Sequence, residues 1–171
     1  GEVHKNFDSG TQTFARQPKT GAVLSRLLPA NTYKLVYPDG RTEFYEHSIG
    51  TTGFERKVFL TRVQDAHGRE VSIEYDTDPE YPARIHRLVD ATGQQTVFQH
   101  AYAGHPYLVT AITDPFGRAA SFTYALLGAV PYLQSITDTI GIVSSFEYND
   151  SGEIIAMTTP YGTTRFELSP L

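Results

Sequence analysis

Apolar residues along this chain recur in a fixed figure. Leu60 and Val63, Ile85 and Leu88, Val109 and Ile112, Leu133 and Ile136, and Ile154 and Met157 each stand three apart. Two places after each pair comes Asp65, Asp90, Asp114, Asp138 or Thr159, and three places later a glycine: Gly68, Gly93, Gly117, Gly141, Gly162. These glycines are spaced at about 24 residues, shortening to 21 at the last step. Beyond each glycine the pattern changes to alternation. Val71, Ile73 and Tyr75 are separated by Ser72 and Glu74, which is the signal of a half-buried strand. Five places past the glycine stand Ile73, Phe98, Phe122 and Phe146; seven places past stand Tyr75, His100, Tyr124 and Tyr148. Asp or Thr first and Gly fourth is the chemistry of a type I turn, in which the side-chain oxygen accepts a backbone N–H. Each unit therefore predicts strand, tight turn, strand. A constant period means that each unit is one supersecondary element unable to bury its face alone.

Asp114-Pro115-Phe116-Gly117 carries all three type I signals, and Thr159-Pro160-Tyr161-Gly162 repeats them with a hydroxyl for the carboxylate. Asn149-Asp150-Ser151-Gly152 carries a second type I signature, with Asn first and Gly fourth, and predicts a turn that joins one hairpin to the next. Other links, such as Asp76 to Arg84 with its two prolines, read as longer loops. The predicted fold is all-β: an antiparallel sheet of sequential hairpins, five of them over 56–168, in one domain spanning 1–171. Residues 1–50 form an irregular lead-in. There Tyr33, Leu35 and Tyr37 alternate, Pro38-Asp39-Gly40-Arg41 makes a turn, and Phe44 and Tyr45 follow, which predicts one more hairpin. Phe7-Asp8-Ser9-Gly10 reads as the remnant of another. Residues 15–31 read as a loop with one helical turn, and His47 to Glu55 as a polar loop. The three-residue apolar step places both side chains of a flat strand on opposite faces. Either a bulge intervenes or both faces are covered.

Composition narrows the function. With no cysteine, disulfides and thiolate metal sites are excluded. A net charge of −5 argues against a nucleic-acid partner, which calls for a basic face. No apolar run is long enough to span a membrane, and the opening residues do not read as a signal peptide. The chain opens on Gly1, without an initiator Met and in mid-pattern, so a segment of a longer protein is expected.

The elements Asp65-Ala-His-Gly68-Arg69, Asp114-Pro-Phe-Gly117-Arg118, Tyr75-Asp76 and Tyr148-Asn-Asp150-Ser-Gly152-Glu-Ile154, with the lead-in Tyr37-Pro-Asp-Gly40-Arg41, resemble the Rhs/YD-repeat family. The resemblance covers roughly residues 33 to 168. It implies a shell of spiralling β-hairpins that encloses a C-terminal toxin domain in secreted bacterial polymorphic toxins or toxin complexes. It also implies a secreted or cell-surface location, with the toxin cargo and neighbouring repeats as partners. Some family shells carry a self-cleaving Pro-x-x-x-x-Asp-Pro-x-Gly-Leu motif. Asp114-Pro115-Phe116-Gly117 is similar to its middle, but Val109 stands at the proline and Arg118 at the leucine, so it reads as an ordinary repeat turn.

The remaining chemistry is thin. The leucine-rich-repeat reading of Leu60/Val63 or Leu133/Ile136 fails on the Asp or Thr two places on and on the period-two half that follows. Asp65, Asp90, Asp114 and Asp138 can be read as a carboxylate ladder, but the glycine three residues on explains each as a turn initiator. No run of alternating oxygen donors makes a calcium loop. His4, His47, His67, His86, His100 and His105 show no metal-ligand spacing. No feature selects a pair of acids for hydrolysis. The expectation is a non-enzymatic structural protein with no catalytic, cofactor or metal residue. The alternative is a carbohydrate- or protein-binding module acting through exposed aromatics, though Tyr and Phe at alternating positions more often form core.

Overall fold

The computed structural model describes residues 3–50 and 56–167. Among them the chain is all-β, with thirteen strands, no helix, and antiparallel pairing throughout. Contacts divide it into two compact units, Gly1–Gln95 and Thr96–Leu171. The first holds β1 (Val23–Leu27), β2 (Thr32–Val36), β3 (Thr42–Ile49), β4 (Lys57–Gln64), β5 (Glu70–Tyr75) and β6 (Ile85–Val89). The second holds β7 (Gln95–Gln99, opening on the last residue of the first unit), β8 (Ala111–Thr113), β9 (Ala119–Leu127), β10 (Val130–Thr137), β11 (Val143–Tyr148), β12 (Ile154–Thr159) and β13 (Gly162–Arg165). Within each unit the strands pair in chain order, as a meander of hairpins requires.

Residues 15–31 depart from the sequence reading. Val23–Leu27 is a strand paired with β2, and no helical turn forms there. The lead-in also folds onto that strand: Phe14 N–H bonds Leu24 O at 2.8 Å and Arg26 N–H bonds Gln12 O at 2.8 Å. The segment at Phe7–Gly10 does turn back, with Asp8 bridged to Thr13. Of the predicted loop from His47 to Glu55, His47–Ile49 belongs to β3, and residues 51–55 lie outside the described residues. So does Leu168, read as the end of the fifth unit.

A bulge resolves the three-residue step. Tyr124 stands opposite Leu133 and Phe122 opposite Ile136, with a register shift between Leu133 and Ser135. The intervening residue is extra, so Leu133 and Ile136 share a face with the two aromatics. The same shift lies at His86, where Tyr75 faces Ile85 and Ile73 faces Leu88. It recurs at Ile155, where Tyr148 faces Ile154 and Phe146 faces Met157. Thr61 is bulged in the same way between Leu60 and Arg62. One face of each unit is thereby apolar.

That face is a single layer. Among the described residues the buried apolar side chains are Ala22, Leu35 and Ala156, and no large side chain is fully buried. Ile73, Phe98, Phe122 and Phe146 are half-buried, and each stands opposite an aliphatic residue of the next strand: Leu88, Ile112, Ile136 or Met157. The opposite face is polar but differs between units. In the first, Arg62 pairs with Glu46 and Glu70 at 3.2 Å, and Arg87 with Glu74 at 2.7 Å. In the second, hydroxyls replace charge along the row Thr123, Ser135, Ser145, Thr158 and Thr163.

Candidate functional site

The turns carry the aspartates, the feature of the sequence most able to hide chemistry. In all six turns of the x-x-x-Gly type the first residue donates its N–H to the carbonyl of the fifth, and the glycine N–H returns to the first carbonyl. At Asp114 these bonds run to Arg118 O at 2.9 Å and from Gly117 N at 3.1 Å. This is a type I turn followed by a left-handed glycine, φ +79° at Gly117, in a bulged hairpin loop. Asp65, Asp90, Asp138 and Asn149 open turns of the same build, and Tyr37 opens another.

Each aspartate is consumed by its own loop. The Asp114 carboxylate accepts the N–H groups of Phe116 and Arg118, both at 2.9 Å, and Asp138 accepts those of Ile140 and Ile142 at 2.9 and 2.8 Å. Asp65 and Asp90 repeat the arrangement with His67 and Arg69, and with Thr92 and Gln94. Arginine closes two of them: Arg118 lies 2.6 Å from Asp114, and Arg69 2.7 Å from Asp65. Desolvation pushes the Asp114 and Asp65 carboxyls up, but the arginine and amide hydrogen bonds outweigh it and hold both below the usual carboxylate range. At Asp90 the Thr92 hydroxyl and then the Gln94 and Thr92 amides have the same effect. Such groups stay ionised and engaged, which suits a turn lock and not a proton shuttle. Among the described residues no three His, Asp or Glu side chains come together to hold a metal.

Thr159 does not belong to this set. β12 and β13 pair continuously up to Thr159 opposite Gly162, leaving a two-residue loop of Pro160 and Tyr161. The Thr159 hydroxyl accepts only the Tyr161 N–H, at 3.2 Å. The link between β9 and β10 is likewise a two-residue loop, with Leu127 opposite Val130, and not one of the longer connections.

A second feature escaped the sequence reading. Tyr75, Tyr124 and Tyr148 each donate their hydroxyl to a backbone carbonyl fifteen residues earlier: Leu60, Val109 and Leu133, at 2.7, 2.7 and 2.8 Å. The reason lies in the ladders. β4 and β5 pair only over Arg62–Gln64, β8 and β9 over Ala111–Thr113, and β10 and β11 over Ser135–Thr137. Past these short ladders no further pair joins the strands, and the tyrosine reaches across to the carbonyls of Leu60, Val109 and Leu133. Burial raises the pKa of all three hydroxyls, which keeps them donors. Each has a ring neighbour: His47 stacks on Tyr75 at 4.5 Å, Tyr102 meets Tyr124 edge-on at 5.5 Å, and Tyr132 lies 4.9 Å from Tyr148. The constant fifteen-residue spacing was visible in the sequence, but it links a side chain to a carbonyl, which no residue pattern marks.

The first unit adds one polar anomaly. Glu43 lies in the apolar row between Leu35 and Val63 and is 8% exposed. It accepts the Tyr45 hydroxyl at 2.6 Å and an Arg41 N–H at 2.8 Å. Burial, and then this bond, raise the Tyr45 pKa. Beside it a cavity of about 630 Å3 is lined by Tyr33, Tyr37, Tyr45, Leu24, Leu35 and Val58, among others. Of the histidines, His47 bonds Pro82 O at 2.6 Å and serves packing.

Compared with known protein families and with curated proteins, the chain has no match.

Proposed function

We propose that this chain is a structural wall, a segment of a β-shell of the Rhs/YD-repeat kind that encloses a toxin domain. The observation that carries this reading is that each unit is a single-layer sheet with one apolar face and, among the described residues, no large side chain fully buried. A single layer of hairpins in chain order extends by adding units, and its apolar face needs a cover that further units or a contained cargo supply. The turns are locked by their own aspartates and the strands beyond the short ladders by tyrosine hydroxyls, so the residues with chemistry are spent on rigidity. The wall has no enzymatic step; its mechanism is exclusion, through a hydrogen-bonded sheet. It acts outside the cell or at its surface.

The test is limited proteolysis of the full natural polypeptide. The wall reading expects a C-terminal or internal fragment that resists protease and becomes cleavable when Tyr75, Tyr124 and Tyr148 are changed together to Phe. A cargo equally sensitive in both proteins, or a natural polypeptide with no further domain, defeats it.

The tyrosine-lined cavity of the first unit favours a second reading, a carbohydrate-binding module. Saturable binding on a glycan array, lost in Tyr33→Ala, would put this reading first.

A further inference from the structure

We infer that the second unit carries two apolar edges that fit one another, and that copies of this chain stack edge to edge through them. The third position of every bulged turn lies in the loop beyond the paired strands and is exposed. In the first unit that position holds Asp39, His67 and Thr92. In the second unit the two bulged turns of the same edge hold Phe116 and Ile140, 72% and 78% exposed, and Tyr161 in the neighbouring two-residue loop is 86% exposed, while the turn at Asn149 on the far edge holds Ser151. Identical turn geometry accepts polar residues at this place, so the turn itself does not call for these three. They sit on successive turns of one edge, two strands apart and thus about 10 Å from one another. Exposed apolar residues in a contiguous series mark an interaction surface.

The opposite edge of the same unit is apolar too. The two-residue loop between β9 and β10 is flanked by Leu126, Leu127 and Val130, exposed by 58%, 37% and 53%, and the β7–β8 link beside it presents Tyr107 at 53%. The two edges lie at opposite ends of the same strands and point in opposite directions. A bilayer can take up one of them only. A second copy can set its turn ridge against the far edge of the first and leave its own far edge for a third. Such a contact is heterologous and propagates. The inference rests on these edges and not on the wall reading.

The experiment uses two variants of the whole chain, a ridge variant (Phe116→Asn, Ile140→Asn, Tyr161→Asn) and a far-edge variant (Tyr107→Thr, Leu126→Thr, Val130→Thr). All six positions are exposed, and circular dichroism confirms that both still fold. In sedimentation velocity the wild type is expected to form a series of species that grows with concentration from the 19.0 kDa monomer. Each variant alone loses that series, and an equimolar mixture stops at a 1:1 dimer. Three results overturn the inference. The first is a wild type that stays monomeric at about millimolar concentration. The second is a ridge variant that associates as well as wild type, which assigns the contact to the open side of β13. The third is wild type that binds phosphatidylcholine vesicles through the ridge without self-association.

Discussion

The turns at Asp114 and Thr159 close hairpins in the same unit and share Pro in second place and Gly in fourth, yet they are built differently. At Asp114 the loop holds an extra left-handed glycine, the carboxylate ties down two amides, and the ladder ends after three pairs. Tyr124 then reaches across to Val109 O. At Thr159 the loop has two residues, the hydroxyl accepts one long bond, and four consecutive pairs follow without a gap. Phe166 here stands in the place of Phe122 and Phe146, and the place held by Tyr124 falls to Leu168, outside the described residues. Between these two hairpins, turn and ladder length thus differ together. The Asp114 oxygen holds the amides of the third and fifth residues at once, as the amide oxygen of Asn149 also does, whereas the Thr159 hydroxyl accepts one amide.

If the bulged class depends on its left-handed glycine, alanine there is the strongest way to break the comparison. Gly117 has nothing within 4 Å of where a Cβ would stand, so Gly117→Ala carries conformational strain alone, about 1–2 kcal/mol. Gly152 adopts the same conformation, φ +80°, but its Cβ would overlap the Tyr132 ring. Gly152→Ala is expected to cost about 2–4 kcal/mol, strain plus displacement of that ring. Urea unfolding of the two variants decides it; equal costs would mean that the Tyr132 contact is slack.

The tyrosine bridges come next. Tyr124→Phe and Tyr148→Phe each leave a carbonyl without its donor, at an expected cost of about 0.5–1.5 kcal/mol. The two bonds share no partner, so the double variant sums them. A double variant that costs no more than either single one would show that the two bridges do not act independently.

Much of this architecture was legible beforehand. Alternation at Val71, Ile73 and Tyr75 gave strands, and Asp-x-x-Gly gave turns, because both signals are local. The lead-in strand was missed because Val23-Leu24-Ser25-Arg26-Leu27 does not alternate, and its partner β2 decides its state. The bulges were narrowed to two alternatives and no further, since an extra residue is defined only by the strand opposite. Thr159 was taken for an aspartate equivalent because composition cannot count the residues in a loop. Glu43 was passed over because a glutamate in a strand reads as solvated until Arg41 and Tyr45 are seen to flank it.

Asp114→Thr tests the carboxylate directly. Had Thr159 occupied the same turn, the substitution would be nearly silent. The structure predicts a lower melting temperature at neutral pH, while Thr159→Asp changes little. The pH profile gives the sign. The folded pKa of Asp114 is depressed, so its contribution is present above the unfolded carboxylate value and is lost as pH falls through the folded one. Wild type and Asp114→Thr should therefore differ at pH 7 and converge in acid. A difference that persists at the lowest pH would trace the effect to shape and not to charge.

The smallest effect belongs to the arginine. Arg118 is 60% exposed and meets Asp114 from the solvent side, whereas the two amides meet it from within the loop. An exposed pair contributes little and is screened by salt, with a Debye length of about 3 Å at 1 M. The amide bonds are short-range and belong to the backbone. Arg118→Ala should lower the melting temperature slightly in dilute buffer and not at all in 1 M sodium chloride, while the Asp114→Thr loss survives the salt. The natural series already contains both cases: the Asp90 turn has Gln94 and the Asp138 turn Ile142 where the others have arginine, with the same loop bonds. If Arg118→Ala instead matched Asp114→Thr and salt left both unchanged, the guanidinium and not the amide pair would be what fixes the bulged turn.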